Sequence, residues 1–292
     1  MIIKVDRDCP VCGCERKRTI TSGREREFKD TPQDLFFVVQ CLHCDLVYLN
    51  PIPHRVELDK IYPKNYYCYN ATDNSPFKQF LVDRIGFPAR IRKLMESFGF
   101  PKVLDIGCGN GDALDTFKGL GADTTGLDFN RQALRLVSDK GHKTIEGRIE
   151  DTDLPEKEYD IIYSSNVIEH IADPKGMVKK VYEALKPNGI FLCETPNFNS
   201  FDARLFALSG KWGGFHFPRH WTFFTDKTFT QLAKSQGFKV ISITYHPVPI
   251  FWIWTFQLPA SFMNKVIFTL VDMIILRITG KTSLMSVCLR KE

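Results

Sequence analysis

One segment of this chain, residues 103–111, constrains the fold more than any other. It reads Val-Leu-Asp-Ile-Gly-Cys-Gly-Asn-Gly, an apolar strand pattern that runs directly into three glycines at alternate positions. An amphipathic helical pattern follows through Leu114 and Phe117. Strand, glycine-rich turn and helix begin a βαβ unit, and glycine there lets the backbone approach a ligand where a Cβ atom would collide. The segment therefore predicts a nucleotide-binding turn in an α/β sheet.

The rest of the chain continues the alternation of strands and helices. Helical patterns separate most of the strand patterns, which is typical of a parallel sheet flanked by helices. We therefore predict an α/β fold with a doubly wound, mostly parallel, seven-stranded sheet. Its strands are expected at residues 102–106, 123–127, 142–146, 159–163, 189–193, 240–245 and 283–290.

Two acids beside the glycine-rich turn indicate which nucleotide it binds. Dinucleotide folds use the spacing G-x-G-x-x-G and aim a helix at a pyrophosphate, whereas this turn has G-x-G-x-G with Asp105 at the strand end. A carboxylate repels a pyrophosphate but attracts the ammonium and sulfonium groups of S-adenosylmethionine. Asp128 ends the next strand, at the spacing expected for a carboxylate that accepts hydrogen bonds from two ribose hydroxyls. An NAD-binding fold and a purely structural turn are the alternatives.

These motifs resemble those of the class I S-adenosylmethionine-dependent methyltransferases over residues 100–245 and the final strand. The resemblance implies a Rossmann-like fold and S-adenosylmethionine as the cofactor. It also implies that Glu150 and Asp151, after the third strand, hold the adenine. The cofactor-binding residues expected from the turn, the acids and the resemblance are Asp105, Gly107, Gly109, Gly111, Asp128, Phe129, Glu150, Asp151 and Asn166.

Two Cys-x2-Cys knuckles near the N-terminus predict a metal site. They are Cys9-Pro-Val-Cys12 and Cys41-Leu-His-Cys44, and a strand-bearing segment lies between them. Four thiolates in this arrangement can close a tetrahedron around zinc, and because no coordination position stays open, the zinc would be structural. We therefore predict a small zinc-ribbon-like module. A metal-free remnant and an oxidised cysteine pair are the alternatives.

The segment around the second knuckle points to the methyl acceptor. Residues 44–51 read Cys-Asp-Leu-Val-Tyr-Leu-Asn-Pro, and Ile-Tyr-Pro-Lys-Asn-Tyr-Tyr follows at 61–67. This run resembles the front end of bacterial methyltransferases encoded with surface-polysaccharide genes and of zinc-containing deoxysugar C-methyltransferases. The resemblance implies a small-molecule acceptor, a sugar or a lipid-linked sugar, with Tyr66 and Tyr67 as acceptor-binding residues.

Residues 166–170, Asn-Val-Ile-Glu-His, follow the fourth strand at the edge where open α/β sheets bind ligands. They resemble the metal-binding segment of ubiquinone-pathway O-methyltransferases, in which acids and a histidine hold a divalent ion. This chain departs from that pattern, because Asn166 stands where a first acid is expected. The departure favours a role in which Glu169 and His170 orient the loop above the methionine part of the cofactor. His170 is also an alternative catalytic base.

A second candidate for the catalytic base lies in residues 212–224, which we name the histidine loop. It is rich in aromatic and cationic side chains, and loops at this sheet edge commonly carry function. It resembles the segment that holds a catalytic histidine in the sugar C-methyltransferases, with His220 at the matching place. Imidazole titrates near neutral pH, so His220 is our predicted general base, and His216 and Arg219 are predicted to contact the acceptor. The alternative is that His216 and His220 only order a packed corner.

The chain divides into three expected domains. Residues 1–50 form the zinc module, 51–98 a helical linker or lid, and 99–292 the methyltransferase domain. The last contains a strongly apolar insertion at 247–279, which prolines and charged residues interrupt too often for a membrane span. A buried or membrane-surface helix pair fits better, and a dimer interface is the alternative.

Composition limits the remaining possibilities. With 43% hydrophobic residues, 25% charged residues and a net charge of +5, the chain is typical of a globular protein, and no nucleic-acid partner is predicted. Charges near the N-terminus argue against a secretory signal, so we expect a cytoplasmic enzyme, with peripheral contact at the inner face of the membrane through the apolar insertion. The rival functions are a lipid or quinone O-methyltransferase and a non-catalytic zinc-ribbon binding protein on the same fold.

Overall fold

The structure, a computed structural model, describes residues 2–62 and 87–292. Thirteen strands are found in these ranges. They are β1 Lys4–Val5, β2 Lys17–Gly23, β3 Phe36–Cys41, β4 Val47–Leu49, β5 Ile52–Pro53, β6 Lys102–Ile106, β7 Asp123–Asp128, β8 Lys143–Glu146, β9 Tyr159–Ser165, β10 Leu185–Pro196, β11 Thr222–Phe223, β12 Phe238–His246 and β13 Leu284–Lys291.

The same ranges contain nine α-helices and three short 3-10 helices. The α-helices are α1 Leu58–Ile61, α2 Phe87–Met95, α3 Asp112–Gly119, α4 Arg131–Asp139, α5 Pro174–Ala184, α6 Phe201–Phe206, α7 Asp226–Ser235, α8 Pro249–Phe256 and α9 Phe262–Thr279. The 3-10 helices are Arg55–Glu57, Ile168–His170 and Gly213–Phe215.

The predicted α/β sheet is confirmed. It has seven strands in the order β12-β13-β10-β9-β6-β7-β8. Strand β6 pairs in parallel with both β7 and β9, and β7 pairs in parallel with β8. Because the carboxyl ends of parallel strands lie at one edge, the turns that follow β6, β7 and β8 lie at the same edge of the sheet.

A second sheet forms around the two cysteine knuckles. Its four antiparallel strands have the order β11-β4-β3-β2, so residues 222–223 of the histidine loop complete a sheet that the N-terminal segment begins. One hydrophobic core lies beneath it and contains side chains from both parts of the chain, such as Phe36, Leu49, Trp212 and Phe223. The segment predicted to be a separate module at residues 1–50 therefore shares its core with the histidine loop.

Residue contacts divide the chain into two compact units. The second unit contains the glycine-rich turn, and the first contains the cysteine knuckles, the histidine loop and the apolar insertion. Unit 1 comprises Met1–Lys64, Asn166–Lys179 and Cys193–Leu289, and unit 2 comprises Asn65–Ser165, Lys180–Leu192 and Arg290–Glu292.

A buried ion pair joins the histidine loop to the N-terminal segment within unit 1. The Arg219 guanidinium is fully buried and donates to the Glu25 carboxylate and, at 2.9 Å, to the carbonyl oxygen of Ile61. The other Glu25 oxygen accepts from three backbone N–H groups, those of residues 26–28. A charged side chain in a low-dielectric interior needs an opposite charge and hydrogen bonds to stabilise it. Removing one member of this ion pair would leave the charge of the other member uncompensated.

We predict that Arg219→Ala destabilises the fold by about 3–5 kcal/mol, because it leaves the buried Glu25 carboxylate unpaired. The double variant Glu25→Gln/Arg219→Met should recover much of this loss. Arg131→Ala is the matched control, since Arg131 pairs with Glu146 on an exposed surface and should cost about 1 kcal/mol or less. Urea unfolding measures all three, and equal losses for Arg219→Ala and Arg131→Ala would contradict the assignment.

Candidate functional site

The glycine-rich turn has the backbone conformation that its sequence predicts. Gly107, Gly109 and Gly111 have φ values of 74°, 51° and 84°, a left-handed region that a side chain disfavours. The turn folds back on β7, because the N–H of Gly107 donates to the carbonyl oxygen of Leu127 at 2.7 Å. Helix α3 begins directly after Gly111. The turn therefore presents bare backbone beside the end of β7.

Asp128, the last residue of β7, has its carboxylate fixed by this turn. Its two oxygens accept hydrogen bonds from the N–H groups of Gly109 at 3.0 Å and Asn130 at 2.8 Å. Burial raises the pKa of Asp128, although these backbone hydrogen bonds oppose the shift. Two carboxylate oxygens offer about four lone-pair sites, so the carboxylate can accept more than these two hydrogen bonds. The arrangement suits a ligand that offers two adjacent hydroxyls, such as a ribose.

The other predicted cofactor residues are divided between the two units. In unit 2, Asp105 is buried at 3% exposure, while Phe129 is 44% exposed and lies 4.2 Å below the Arg148 guanidinium. Glu150 and Asp151 follow β8, half-buried and exposed respectively. Asn166 belongs to unit 1, is exposed and has a φ of 53°.

The two knuckles bring four cysteine sulfurs together. Those of Cys9, Cys12, Cys41 and Cys44 lie within 4.8 Å of one another, and the Cys9–Cys44 and Cys12–Cys41 pairs are each 3.5 Å apart. Zn–S bonds of about 2.3 Å place the sulfurs of a tetrahedral site about 3.8 Å apart, close to these separations. The N–H of His43 points at Cys41 Sγ from 3.4 Å. The four residues could hold one metal ion.

Glu169, His170 and His220 form a second close group, which we name the acid–histidine cluster. Each offers one ligand atom within 4.8 Å of the others. Nδ1 of His220 donates to the carbonyl oxygen of Gly214 at 2.8 Å, so its Nε2 keeps the lone pair. That Nε2 lies 4.0 Å from Oε1 of Glu169. This carboxylate oxygen is buried and has no hydrogen-bond partner among the described residues, whereas Oε2 accepts from Thr195 at 2.9 Å.

Burial sets the charge of the acid–histidine cluster. It raises the pKa of Glu169 to about 8 and lowers the pKa of His170 to about 4. Burial also holds the pKa of His220 well below its ordinary value, and the nearby His170 and Arg219 add to this shift. At neutral pH the cluster therefore holds a protonated carboxyl beside neutral imidazoles. A base with an available lone pair and an acid with an unpartnered oxygen can exchange a proton with a hydroxyl placed between them.

Two contacts in the cluster were not expected from the sequence. The Tyr62 hydroxyl lies 3.0 Å from Nδ1 of His170, and the carbonyl oxygen of Arg219 lies 3.0 Å from the same atom. Because a carbonyl only accepts, His170 carries its proton on Nδ1. Tyr62 is nearby because α1 belongs to the same core as the histidine loop, a packing that no local pattern signals.

The residues predicted to bind the acceptor have different environments. His216 lies beside the cluster, with its ring 5.0 Å from that of His220 and stacked on Trp254 at 4.8 Å. The Arg219 guanidinium is fully buried in the ion pair with Glu25, so its geometry supports a structural role. Tyr66 and Tyr67 lie outside the described residues.

Curated relatives share the central part of the chain. The ubiquinone biosynthesis O-methyltransferase of Cereibacter sphaeroides is 29% identical over 167 residues, which cover 53% of this chain and 67% of that protein. The protein of the same name from Bradyrhizobium diazoefficiens is 36% identical over 119 residues, covering 39% of this chain and 46% of that protein. The chain thus matches less than half the length of the second relative.

Solved structures and a family model agree with the fold described above. An S-adenosylmethionine-dependent methyltransferase from Mesorhizobium loti superposes with a TM-score of 0.50 at 16% identity, covering 70% of this chain and 96% of that one. A family model described as a methyltransferase domain matches residues 77–243, more than half of the chain. The chain therefore belongs to this methyltransferase-domain family and has the α/β fold of the class I S-adenosylmethionine-dependent methyltransferases.

Proposed function

We propose that this methyltransferase transfers a methyl group from S-adenosylmethionine to a hydroxyl of a sugar or lipid-linked sugar used in surface-polysaccharide synthesis. The observation that carries the proposal is the buried Oε1 of Glu169, which has no hydrogen-bond partner in the described part of the chain and lies 4.0 Å from Nε2 of His220. A buried polar atom without a partner is costly, and a bound hydroxyl would satisfy it. The same hydroxyl could give its proton to His220 as the oxygen becomes a nucleophile.

The chain's own residues would bind the cofactor and move the proton. S-adenosylmethionine, when bound, supplies an electrophilic methyl group for an in-line displacement. Asp128 would accept hydrogen bonds from the ribose hydroxyls, and the glycine-rich turn leaves room for the ligand. His220 would take the acceptor proton on Nε2, and an ionised Glu169 would stabilise the resulting imidazolium. His170 would position the loop through Tyr62 and the Arg219 carbonyl.

We predict that Asp128→Ala weakens S-adenosylmethionine binding about tenfold or more, because hydrogen bonds to a charged group contribute about 1.5–3 kcal/mol. Calorimetry measures the affinity. Asp123→Ala is the matched control, since Asp123 lies at the other end of β7 and pairs with Lys143. Unchanged affinity in Asp128→Ala, or tighter binding of NAD than of S-adenosylmethionine by the wild type, would contradict the assigned cofactor.

The acid–histidine cluster should give turnover a specific pH dependence. Glu169 is mostly protonated below its pKa of about 8, and only its ionised form stabilises a protonated His220. Turnover should therefore rise about tenfold per pH unit toward pH 8 and level off above it. Glu169→Gln should flatten this profile and lower the plateau, while His220→Ala should lower turnover about 10²–10⁴-fold with cofactor affinity nearly unchanged.

Steady-state kinetics at saturating cofactor, on an acceptor found by screening nucleotide sugars and lipid-linked sugars, measures these effects. A large turnover defect in His170→Ala with a small one in His220→Ala would identify His170 as the base instead. A requirement for an added divalent ion would favour a metal role for the cluster. Cofactor binding without turnover on any acceptor would favour the non-catalytic alternative.

We also infer that Cys9, Cys12, Cys41 and Cys44 hold one structural zinc ion. Their spacing and their sulfur separations fit a closed tetrahedral site. The knuckles flank β3 and precede β4, and β4 pairs with β11 of the histidine loop. A zinc ion here would stabilise the sheet that supports His220.

Metal analysis should therefore find about one equivalent of zinc per chain. Cys41→Ser should lose the metal and lower the thermal stability of the module before cofactor affinity changes, because Asp128 belongs to the other unit. Cys14→Ser is the matched control, since Cys14 lies beside the knuckles but outside the group of four. A folded, metal-free preparation from zinc-supplied cells would refute the zinc site.

One observation favours an acceptor that carries a lipid. Such an acceptor is closest to that of our alternative function, a lipid or quinone O-methyltransferase. Helix α9 exposes a continuous row of large apolar side chains: Phe262, Met263, Val266, Ile267, Leu270, Met273, Ile274 and Ile278. Its exposed charges, Lys265 and Arg277, are both cationic, and its acid, Asp272, is buried. Such a helix suits an anionic bilayer surface, with the arginine reaching toward the head groups.

We therefore infer peripheral contact with the inner face of the membrane through the helix pair α8 and α9, in place of a dimer interface. Among the described residues no helix is both long and apolar enough to cross a membrane. A lipid-linked sugar would combine the two acceptor classes, because its sugar would reach the catalytic residues while its chain stayed in the lipid. The relatives named for ubiquinone biosynthesis are consistent with a lipid-type acceptor.

A further inference from the structure

A cavity of about 330 Å³ lies in unit 1, beside the acid–histidine cluster but outside it. Three segments enclose it: the turn at residues 24–27, the start of the histidine loop, and the end of α8 with the residues that follow. Its size falls within the usual range for small-molecule pockets, about 300–1,000 Å³.

Polar groups of both hydrogen-bonding kinds line the cavity. Oε2 of Glu27 lies 2.9 Å from Nδ1 of His216, but the contact is poorly aligned, and this oxygen accepts no hydrogen bond among the described residues. Arg24 and Arg26 each use part of the guanidinium on carbonyl oxygens, those of Gln33 and of Lys211 and Thr255, which leaves further N–H donors. A ligand here would meet one acceptor and two donors.

Aromatic side chains form the wall nearest the cluster. The Trp254 ring stacks on His216, and His216 lies next to His220, with ring centroids 5.0 Å apart. His216 has a left-handed backbone with a φ of 39°, unusual for a residue other than glycine, and such strain is common at functional sites. A group held in the cavity is therefore separated from the predicted base by a single imidazole.

Part of the cavity wall belongs to the connection that leads to the apolar helix α9. Leu258 and Ala260 line the cavity and lie in this connection between α8 and α9. The exposed row of α9 starts at Phe262, two residues later. A polar group in the cavity could thus continue along this connection into an apolar chain on α9.

We propose that this cavity binds the polyhydroxylated head group of an amphiphile whose apolar chain lies along the exposed row of α9. The inference rests on the proposed function and deepens it, since it assigns a place to the lipid chain and to a part of the glycan next to the reacting hydroxyl. Alternating donors and an acceptor beside an aromatic wall suit a sugar ring. A phosphate head would meet the Arg24 and Arg26 guanidiniums as well as the Glu27 carboxyl, so octyl phosphate is the competing head group in the test.

Calorimetry with octyl glucoside below its micelle concentration tests the proposal. Octyl glucoside should bind at least tenfold more tightly than glucose, octanol or octyl phosphate. Glu27→Ala should weaken this binding about tenfold, whereas Glu27→Gln keeps an oxygen acceptor and should retain most of it. Arg24→Ala, which changes an exposed side chain, should weaken binding about threefold or more and leave the fold unchanged.

The proposed site for the apolar chain of the amphiphile, on α9, is tested with a separate variant and control. Ile274→Asn should reduce octyl glucoside affinity and the flotation of the protein with anionic vesicles, while Val56→Gln changes an apolar residue that is 66% exposed elsewhere in unit 1 and should change neither. If the protein binds free octyl glucoside but does not float with the vesicles, the site binds a dispersed amphiphile and not one in a bilayer. In that case α9 would still hold the apolar chain of the amphiphile.

Three outcomes would overturn the inference. The first is that octanol or octyl phosphate binds as tightly as octyl glucoside. The second is that Glu27→Ala and Arg24→Ala leave the affinity for octyl glucoside unchanged. The third is that Ile274→Asn alters only the oligomeric state, which would assign the exposed row of α9 to contact with a second copy of the chain. S-adenosylmethionine affinity is measured on every preparation. If the variants still bind S-adenosylmethionine and any of these outcomes is seen, the cavity proposal alone is rejected. If the wild type does not bind S-adenosylmethionine, the proposed function is rejected.

Discussion

The buried ion pair between Glu25 and Arg219 is the interaction on which unit 1 depends. Arg219 follows His216 and directly precedes His220, and β11 starts three residues after it, so fixing its guanidinium also fixes the backbone of the histidine loop. Its carbonyl oxygen in turn lies 3.0 Å from Nδ1 of His170. The position of two candidate catalytic histidines thus depends on a carboxylate near the N-terminus, which lies almost two hundred residues before Arg219 in sequence.

The same burial gives the acid–histidine cluster its chemistry. A carboxyl and two imidazoles in a low-dielectric interior stay neutral at neutral pH, since each charged form would lose its hydration. Neutral imidazoles have lone pairs and can accept a proton, whereas the carboxyl has to ionise before it can stabilise the resulting imidazolium. The cysteine knuckles contribute indirectly, because β4 both follows them and pairs with β11.

Sequence reasoning found the features whose chemistry is local. The alternate glycines require left-handed backbone, Asp128 follows its strand directly, and each cysteine pair is set by a spacing of three residues, so short patterns revealed all of them. The sequence did not point to Glu27 or Tyr62, and it led to the prediction that Arg219 contacts the acceptor. The surroundings of all three side chains come from contacts between segments that are distant in sequence. A cationic side chain in an aromatic loop has the same local sequence pattern whether its partner is a ligand or a buried glutamate.

The apolar insertion shows how one buried acid can set the orientation of an exposed surface. Asp272 accepts hydrogen bonds from the indole N–H of Trp252 at 2.7 Å and the N–H of Val248 at 2.9 Å, so it anchors α9 to the beginning of α8. Burial raises its pKa to about 6. Because side chains on one face of a helix recur at three and four residues, fixing Asp272 inward turns Leu270, Met273 and Ile274 outward. The exposed row is thus a consequence of a specific polar contact, and the orientation that exposes it also sets the end of α8 against the cavity.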